Sequence, residues 1–257
     1  MTKHIPRRRF GQNFLVDDAV IAGIIAAISP QPDDLIVEIG PGLGALTGPL
    51  LASVKHLHVI EIDRDIVAQL KQDFSPQQLT IHEGDALKFD FATLGSDLRV
   101  IGNLPYNIST PILFHLAQSS PHLRDIHVML QKEVVERMVA LPSTSEYGRL
   151  SVMLQHQFAM EKVLDVPAEA FRPAPKVESA VVRMLPRRPE SACDAAVLAH
   201  VVAKAFGQRR KTLRNALKGV FDAADFAALG IDPGARAENL AVADFVRAAN
   251  YLAGKQR

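Results

Sequence analysis

The chain is poor in cysteine, in tryptophan and in surplus charge. Its one cysteine, Cys193, excludes an internal disulfide framework and a cysteine-built zinc site, and it fits a reducing cytoplasm. Its 29 basic residues nearly balance 28 acidic ones. That excludes a field over the whole protein as the means of holding a nucleic acid, so any such binding must come from local patches. Long apolar runs are also lacking. Ala19–Ile28 is too short to cross a bilayer. Asp17 and Asp18 break the apolar stretch that an export signal would need after Arg7-Arg8-Arg9-Phe10. The run reads instead as a buried helix with Asp17 as its N-cap. Neither export nor membrane insertion is expected.

What is present is apolar mass: 48% of the 257 residues, enough for a real core and for one large domain with a small one. Short β-rich runs end near Ile39, Ile62, His82, Gly102 and Leu130, with helical patterns between them. That alternation predicts an α/β fold, a mostly parallel sheet covered on both faces. Glu161–Val166 and Ala180–Leu185 add two further strands, able to close the sheet as an antiparallel pair. Pro186-Arg187-Arg188-Pro189-Glu190-Ser191 reads as a linker. Helical patterns follow over Asp194–Phe206, Arg210–Val220, Asp222–Leu229 and Ala241–Leu252. The expected division is a first domain over 1–186 and a small all-helical domain over 187–257.

The first strand runs into Glu38-Ile39-Gly40-Pro41-Gly42-Leu43-Gly44-Ala45. A glycine-rich turn between strand and helix lets backbone N–H groups approach a ligand, and the helix start favours a carboxylate or phosphate. The next strand ends in Glu61-Ile62-Asp63, and an acid there can bind both ribose hydroxyls. These features also satisfy a dinucleotide pattern, so a nicotinamide oxidoreductase stays open at this point. They also allow a turn that is merely tight.

Two further strand ends favour an amino-group methyltransferase. Asp85, in Glu83-Gly84-Asp85-Ala86, can accept from an adenine amino group, or can simply cap a turn. Asn103-Leu104-Pro105-Tyr106 suits an amine target. The lone pair of an adenine N6 is delocalised into the ring, so the nitrogen attacks poorly. The Asn103 side-chain oxygen and the Leu104 carbonyl can accept its two N–H bonds while Pro105 holds that carbonyl and Tyr106 stacks on the base. Positioning and charge complementarity then supply the acceleration. Phe171, in the proline-stiffened Phe171-Arg172-Pro173-Ala174-Pro175-Lys176-Val177, can sandwich the base with Tyr106 or can anchor the loop in the core.

Two stretches free of acids are basic. Lys3, Arg7, Arg8 and Arg9 form one; Lys204, Arg209, Arg210, Lys211, Arg214 and Lys218 form the other. Arg210, Arg214 and Lys218 would share a helix face and could track phosphates. A solvated helix face is the alternative. His56 and His58 can face one side of a strand, but a zinc site is not expected.

Together with Phe10-Gly11-Gln12-Asn13-Phe14-Leu15 and Phe206-Gly207-Gln208-Arg209-Arg210-Lys211-Thr212-Leu213-Arg214-Asn215, these motifs run the length of the chain. The chain resembles the ribosomal RNA adenine N6,N6-dimethyltransferases, in particular their bacterial small-subunit branch. The resemblance implies a Rossmann-like class I methyltransferase domain, a small helical C-terminal domain, and S-adenosylmethionine as cofactor. It places Asn13 and Leu15 at the cofactor site beside Glu38, Gly40, Gly42, Glu61, Asp85, Ala86 and Asn103. It implies two adjacent adenines in a hairpin loop near the 3′ end of small-subunit rRNA as target, in an assembling subunit. A cytoplasmic protein is expected from the cysteine usage, and nothing in the sequence demands more than a monomer. A macrolide-resistance type enzyme acting on large-subunit rRNA and a non-catalytic assembly factor are the alternatives. The Arg209–Asn215 run favours the small-subunit branch.

Overall fold

The computed structural model describes residues 13–187, 192–208 and 210–255. Lys3, Arg7, Arg8, Arg9, Arg209 and residues 188–191 of the expected linker lie outside them. No helix among the described residues is long and apolar enough to cross a membrane.

The chain begins with β1 (Phe14–Leu15) and α1 (Asp18–Ile28). It then alternates through β2 (Ile36–Ile39), α2 (Thr47–Leu51), β3 (Leu57–Glu61), α3 (Arg64–Asp73), β4 (Leu79–Glu83), β5 (Leu98–Asn103), α4 (Ser109–Gln118), β6 (Leu123–Gln131) and α5 (Lys132–Val139). After α6 (Arg149–Gln155) come β7 (Phe158–Val166), β8 (Phe171–Arg172) and β9 (Ser179–Pro186). The remainder is helical: α7 (Ala195–Phe206), α8 (Leu213–Ala216), α9 (Ala223–Leu229) and α10 (Val242–Lys255). Asp17 caps α1 as expected, its Oδ1 accepting from the N–H of Ala19 and Val20.

Seven strands form one sheet in the order β4-β3-β2-β5-β6-β9-β7. The first five are parallel to their neighbours, and β9 is antiparallel to β6. The chain order turns back on either side of β2 and β5, so a crevice opens at their carboxyl ends. Both faces are covered. Leu57 and Val59 of β3 pack with Ile24 of α1, Leu50 of α2 and Ile66 and Leu70 of α3. The alternate residue, His58, points to the other face, where it stacks on His82 and a run of edge-on and tilted ring contacts continues through Phe89 and Phe91 to His115 of α4.

The fold divides into two compact units. One runs to Val135 and resumes over Met160–Pro186; the other takes Glu136–Ala159 and the residues from Arg187 on. The sequence draws one seam, at 186. The structure adds the excursion of α6, whose Val152 packs in the same cluster as Leu198, Val201 and Val202 of α7 and Phe245 of α10.

One helix differs from expectation. The pattern predicts helix over Arg210–Val220, but only Leu213–Ala216 is helical. Thr212 stands before it in extended conformation, and Gly219 takes φ +82° just beyond. Arg210 therefore precedes the helix, and no continuous helix face joins Arg210, Arg214 and Lys218.

Candidate active site

The carboxyl ends of β2, β3, β4 and β5 surround a cavity of about 260 Å³. Its lining includes Asn13, Leu15, Glu38, Gly40, Gly42, Glu61, Asp85, Ala86 and the whole of Asn103-Leu104-Pro105-Tyr106. The turn after β2 reaches it through left-handed backbone at Gly40 (φ +66°) and Gly42 (φ +55°). A side chain at Gly42 would also press on the Phe14 ring, 3.2 Å from where its Cβ would lie. Gly102 is needed for a different reason. A Cβ there would meet the Ile39 carbonyl oxygen at 2.6 Å, so only glycine lets β5 deliver Asn103 beside the glycine turn.

Three acids stand at the strand ends in different states. Glu38 is fully buried and accepts a 2.7 Å bond from the Thr47 hydroxyl. Burial pushes its pKa up to about 7, against that hydrogen bond, and the nearby Glu61 charge adds to the rise. Glu61 Oε1 accepts from the N–H of Ile62 and of Asp63, each at 2.8 Å. Burial still holds its carboxyl above the ordinary range. Asp85 Oδ1 caps the short 3-10 turn Ala86–Lys88 through the N–H of Leu87, so its capping role and its place in the cavity wall coexist.

The Asn103-Leu104-Pro105-Tyr106 tetrapeptide is pinned from several sides. Asn103 Nδ2 donates to the Asn13 carbonyl at 3.2 Å, which assigns its Oδ1 as an acceptor. The Leu104 N–H donates to the Met129 carbonyl at 3.1 Å, and the Pro105 carbonyl receives the Ile108 N–H. Tyr106 is half-buried, and its Oη lies 2.7 Å from Ser179 Oγ. Burial raises the Tyr106 phenol pKa.

Phe171 is placed differently from the expected base sandwich. Its residue pairs with Leu15 in the β1–β8 ladder, and its ring is 1% exposed in the core cluster. It is absent from the cavity lining. Pairing with β1 turns the ring inward, and the loop-anchor role is the one the structure supports.

Sequence reasoning missed the apolar part of the wall. Ile62, half-exposed, and Leu43 line the cavity although both are large hydrophobic side chains in open positions. An exposed isoleucine directly after a strand-ending acid is the signal that could have found it. The histidines make no such site. His58 Nδ1 and His82 Nε2 lie 3.1 Å apart, His56 bonds to the Gln77 carbonyl and to Thr80, and among the described residues no cluster is arranged to hold a metal ion.

The arrangement can hold a nucleoside-bearing ligand along the acid-ended strands and offer acceptors to an amine at Asn103-Leu104. A family model described as ribosomal RNA adenine dimethylase matches residues 3–254. A protein of Chromobacterium violaceum called ribosomal RNA small subunit methyltransferase A is 64% identical, over 99% of this chain and 98% of that one. One of the same description from Aromatoleum aromaticum is 63% identical over 99% and 97%. Among solved structures, a dimethyladenosine transferase from Plasmodium falciparum superposes with a TM-score of 0.82 at 26% identity, covering 91% of this chain and 95% of that one. The 23S rRNA methyltransferase ErmE gives 0.73 at 25% identity, covering 94% and 100%.

Proposed function

The chain belongs to the ribosomal RNA adenine dimethylase family, and from that premise we propose that it dimethylates N6 of two adjacent adenines in a hairpin loop near the 3′ end of small-subunit rRNA, using S-adenosylmethionine. It is an rRNA adenine methyltransferase of the small-subunit type, and the large-subunit alternative is set aside by the 64% identity to a small-subunit enzyme. The substrate form is the assembling subunit in the cytoplasm.

The residues present fit that cofactor. Glu38 and Glu61 are carboxylates buried in the cavity, and neither has an ion pair among the described residues. Such acids call for hydroxyl donors or a cationic ligand. Glu61 would take the ribose hydroxyls, Asp85 the adenine amino group, and Ile62 an adenine face, while the glycine turn admits the amino-acid end. When bound, S-adenosylmethionine supplies an electrophilic methyl group on a sulfonium sulfur.

The observation that carries the reading is the Asn103 amide. With Nδ2 bonded to Asn13, Oδ1 is the acceptor offered to one N–H of the target amine. The Leu104 carbonyl accepts the other, and Pro105 restrains it. Both acceptors favour the charge that grows on nitrogen during transfer. The proton becomes acidic once the new bond forms, so no strong base is required. Tyr106 supplies the ring for the extruded base.

RNA docking is assigned to basic residues of the C-terminal segment. Lys204, Arg210, Lys211, Arg214 and Lys218 are exposed and carry no ion pair among the described residues. Lys255 in the same unit is held by Asp225, and Arg247 by Asp244. Arg7, Arg8, Arg9 and Arg209 are proposed RNA contacts on sequence grounds alone. The test is transfer of labelled methyl groups to unmethylated small subunits, large subunits and free rRNA, with the modified adenines mapped by primer extension. Label at paired adenines near the 3′ end of small-subunit RNA is expected. Label on large subunits, or none at all, overturns the reading.

A further inference from the structure

The tetrapeptide of the site is anchored twice to the same pair of strands. Its main chain is held where the Leu104 N–H bonds to the Met129 carbonyl of β6. Its ring tip is held where Tyr106 Oη meets Ser179 Oγ at 2.7 Å. Ser179 opens β9 and stands opposite Gln131, the last residue of β6, in an unbroken antiparallel register that continues to Met184 opposite Ile126. The second anchor is therefore rigid.

Ser179 is fully buried, and the residues that follow it, Ala180, Val181 and Val182, are buried and apolar. A hydroxyl in such a place costs free energy unless it is bonded, and alanine would pack there without that cost. Tyr106 is the partner of Ser179 Oγ among the described residues. The bond also answers a need of the ring. The phenol oxygen lies on the axis of rotation about the Cβ–Cγ bond, so a partner at Oη leaves that soft rotation free and fixes the ring tip, and with it the direction of the ring axis. A half-buried ring that must receive a base loses catalytic power if its axis wanders before the base arrives.

We propose that Ser179 is a positioning residue for methyl transfer, whose hydroxyl fixes the tip, and so the axis, of the Tyr106 ring against which the target adenine stacks. This rests on the function proposed above. Neither residue carries out chemistry through the bond; it pre-orients the stacking surface.

The test combines kinetics on small subunits with isotope-labelled tyrosine rings observed by NMR. The chain has three tyrosines, so the Tyr106 signal is assigned by its loss in Tyr106→Phe. In Ser179→Ala the Tyr106 signal shifts or averages while the other two stay, and cofactor affinity by calorimetry stays within about twofold. Turnover falls about fivefold to tenfold, the equivalent of one neutral hydrogen bond. Tyr106→Phe, which keeps the ring and deletes the hydroxyl, falls by a similar factor, and the double variant is no worse than either single one. An unchanged Tyr106 signal in Ser179→Ala overturns the proposal. So does a Ser179→Ala loss that is just as large in the Tyr106→Phe background, which would make Ser179 a packing residue. The ring signals need no RNA, so they report on this inference even where wild-type protein fails to methylate small subunits, a failure that falls on the proposed function instead.

Discussion

The two ends of the sheet treat buried carboxylates in opposite ways. At the amino end, Asp34 precedes β2, Arg99 lies in β5 and Asp125 in β6, and all three are buried. Arg99 bonds to Asp34 at 2.6 Å and to Asp125 at 2.8 Å, and donates to the Ile28 carbonyl at the end of α1. Arg124 joins Asp34 at 2.5 Å and also pairs with Asp97. Burial opposes ionisation of Asp34, but the Gln31 N–H and the two guanidinium groups outweigh it and hold the carboxyl below its usual range. At the carboxyl end of the same sheet, Glu38 and Glu61 have no cation among the described residues, and burial pushes both upward. The amino end gives each buried carboxylate a guanidinium partner. The carboxyl end gives Glu38 and Glu61 none among the described residues, and the proposed cofactor is what would supply their donors. A buried acid by itself says little about function; the missing partner is what marks the site.

The largest effect should come from breaking the paired end. Arg99→Met leaves Asp34 and Asp125 buried without their shared cation, and denaturant unfolding should show a loss of about 3–5 kcal/mol. A loss below about 1 kcal/mol would mean that Arg124 and solvent suffice, and the two ends would differ less than the geometry says. Next is Asn103→Ala at the open end. Turnover should fall about a hundredfold to a thousandfold while calorimetric cofactor affinity changes little. Near-normal methyl transfer by this variant would remove Asn103 from the amine site.

A smaller effect is expected at the surface. Arg210→Glu with Arg214→Glu should weaken subunit binding and lower its salt dependence, by about 0.7 to 0.9 in the log–log slope for each phosphate that the variant no longer neutralises. An unchanged slope would leave these arginines as a solvated surface. The smallest effect sharpens the contrast in titration. The folded Glu38 value of about 7 lies above its ordinary 4.5, so its contribution to stability is full below 4.5 and is lost as pH rises through about 7. The melting temperature of the wild type should decline across that window more steeply than that of Glu38→Gln. Parallel curves would show that Glu38 ionises as readily in the fold as outside it.

Much of the cavity lining was legible because it is local. The glycine turn, Glu61, Asp85 and Asn103 each sit at the end of an apolar run, and a parallel sheet brings such ends together by its construction. What failed was non-local. Phe171 looks like a pocket aromatic in its own segment, yet its ring direction is set by register against Leu15, far away in the chain. The helix expected over Arg210–Val220 shrank to one turn because tertiary bonds, such as those from the N–H groups of Leu213 and Arg214 to the Ala235 and Pro233 carbonyls, compete with helix there. Ser179 carried no sequence signal at all.

The sequence by itself determined the class of fold, the glycine turn and the tetrapeptide at the strand ends, because these depend on alternation, on glycine's access to left-handed backbone, and on residues adjacent in the chain. Only the tertiary structure decided which amide face Asn103 presents, which ring reaches the cavity and which acids lack a cation among the described residues. Those outcomes depend on partners brought together from distant segments, Asn13 with Asn103, Ser179 with Tyr106 and Arg99 with Asp34, and no local pattern encodes such pairings.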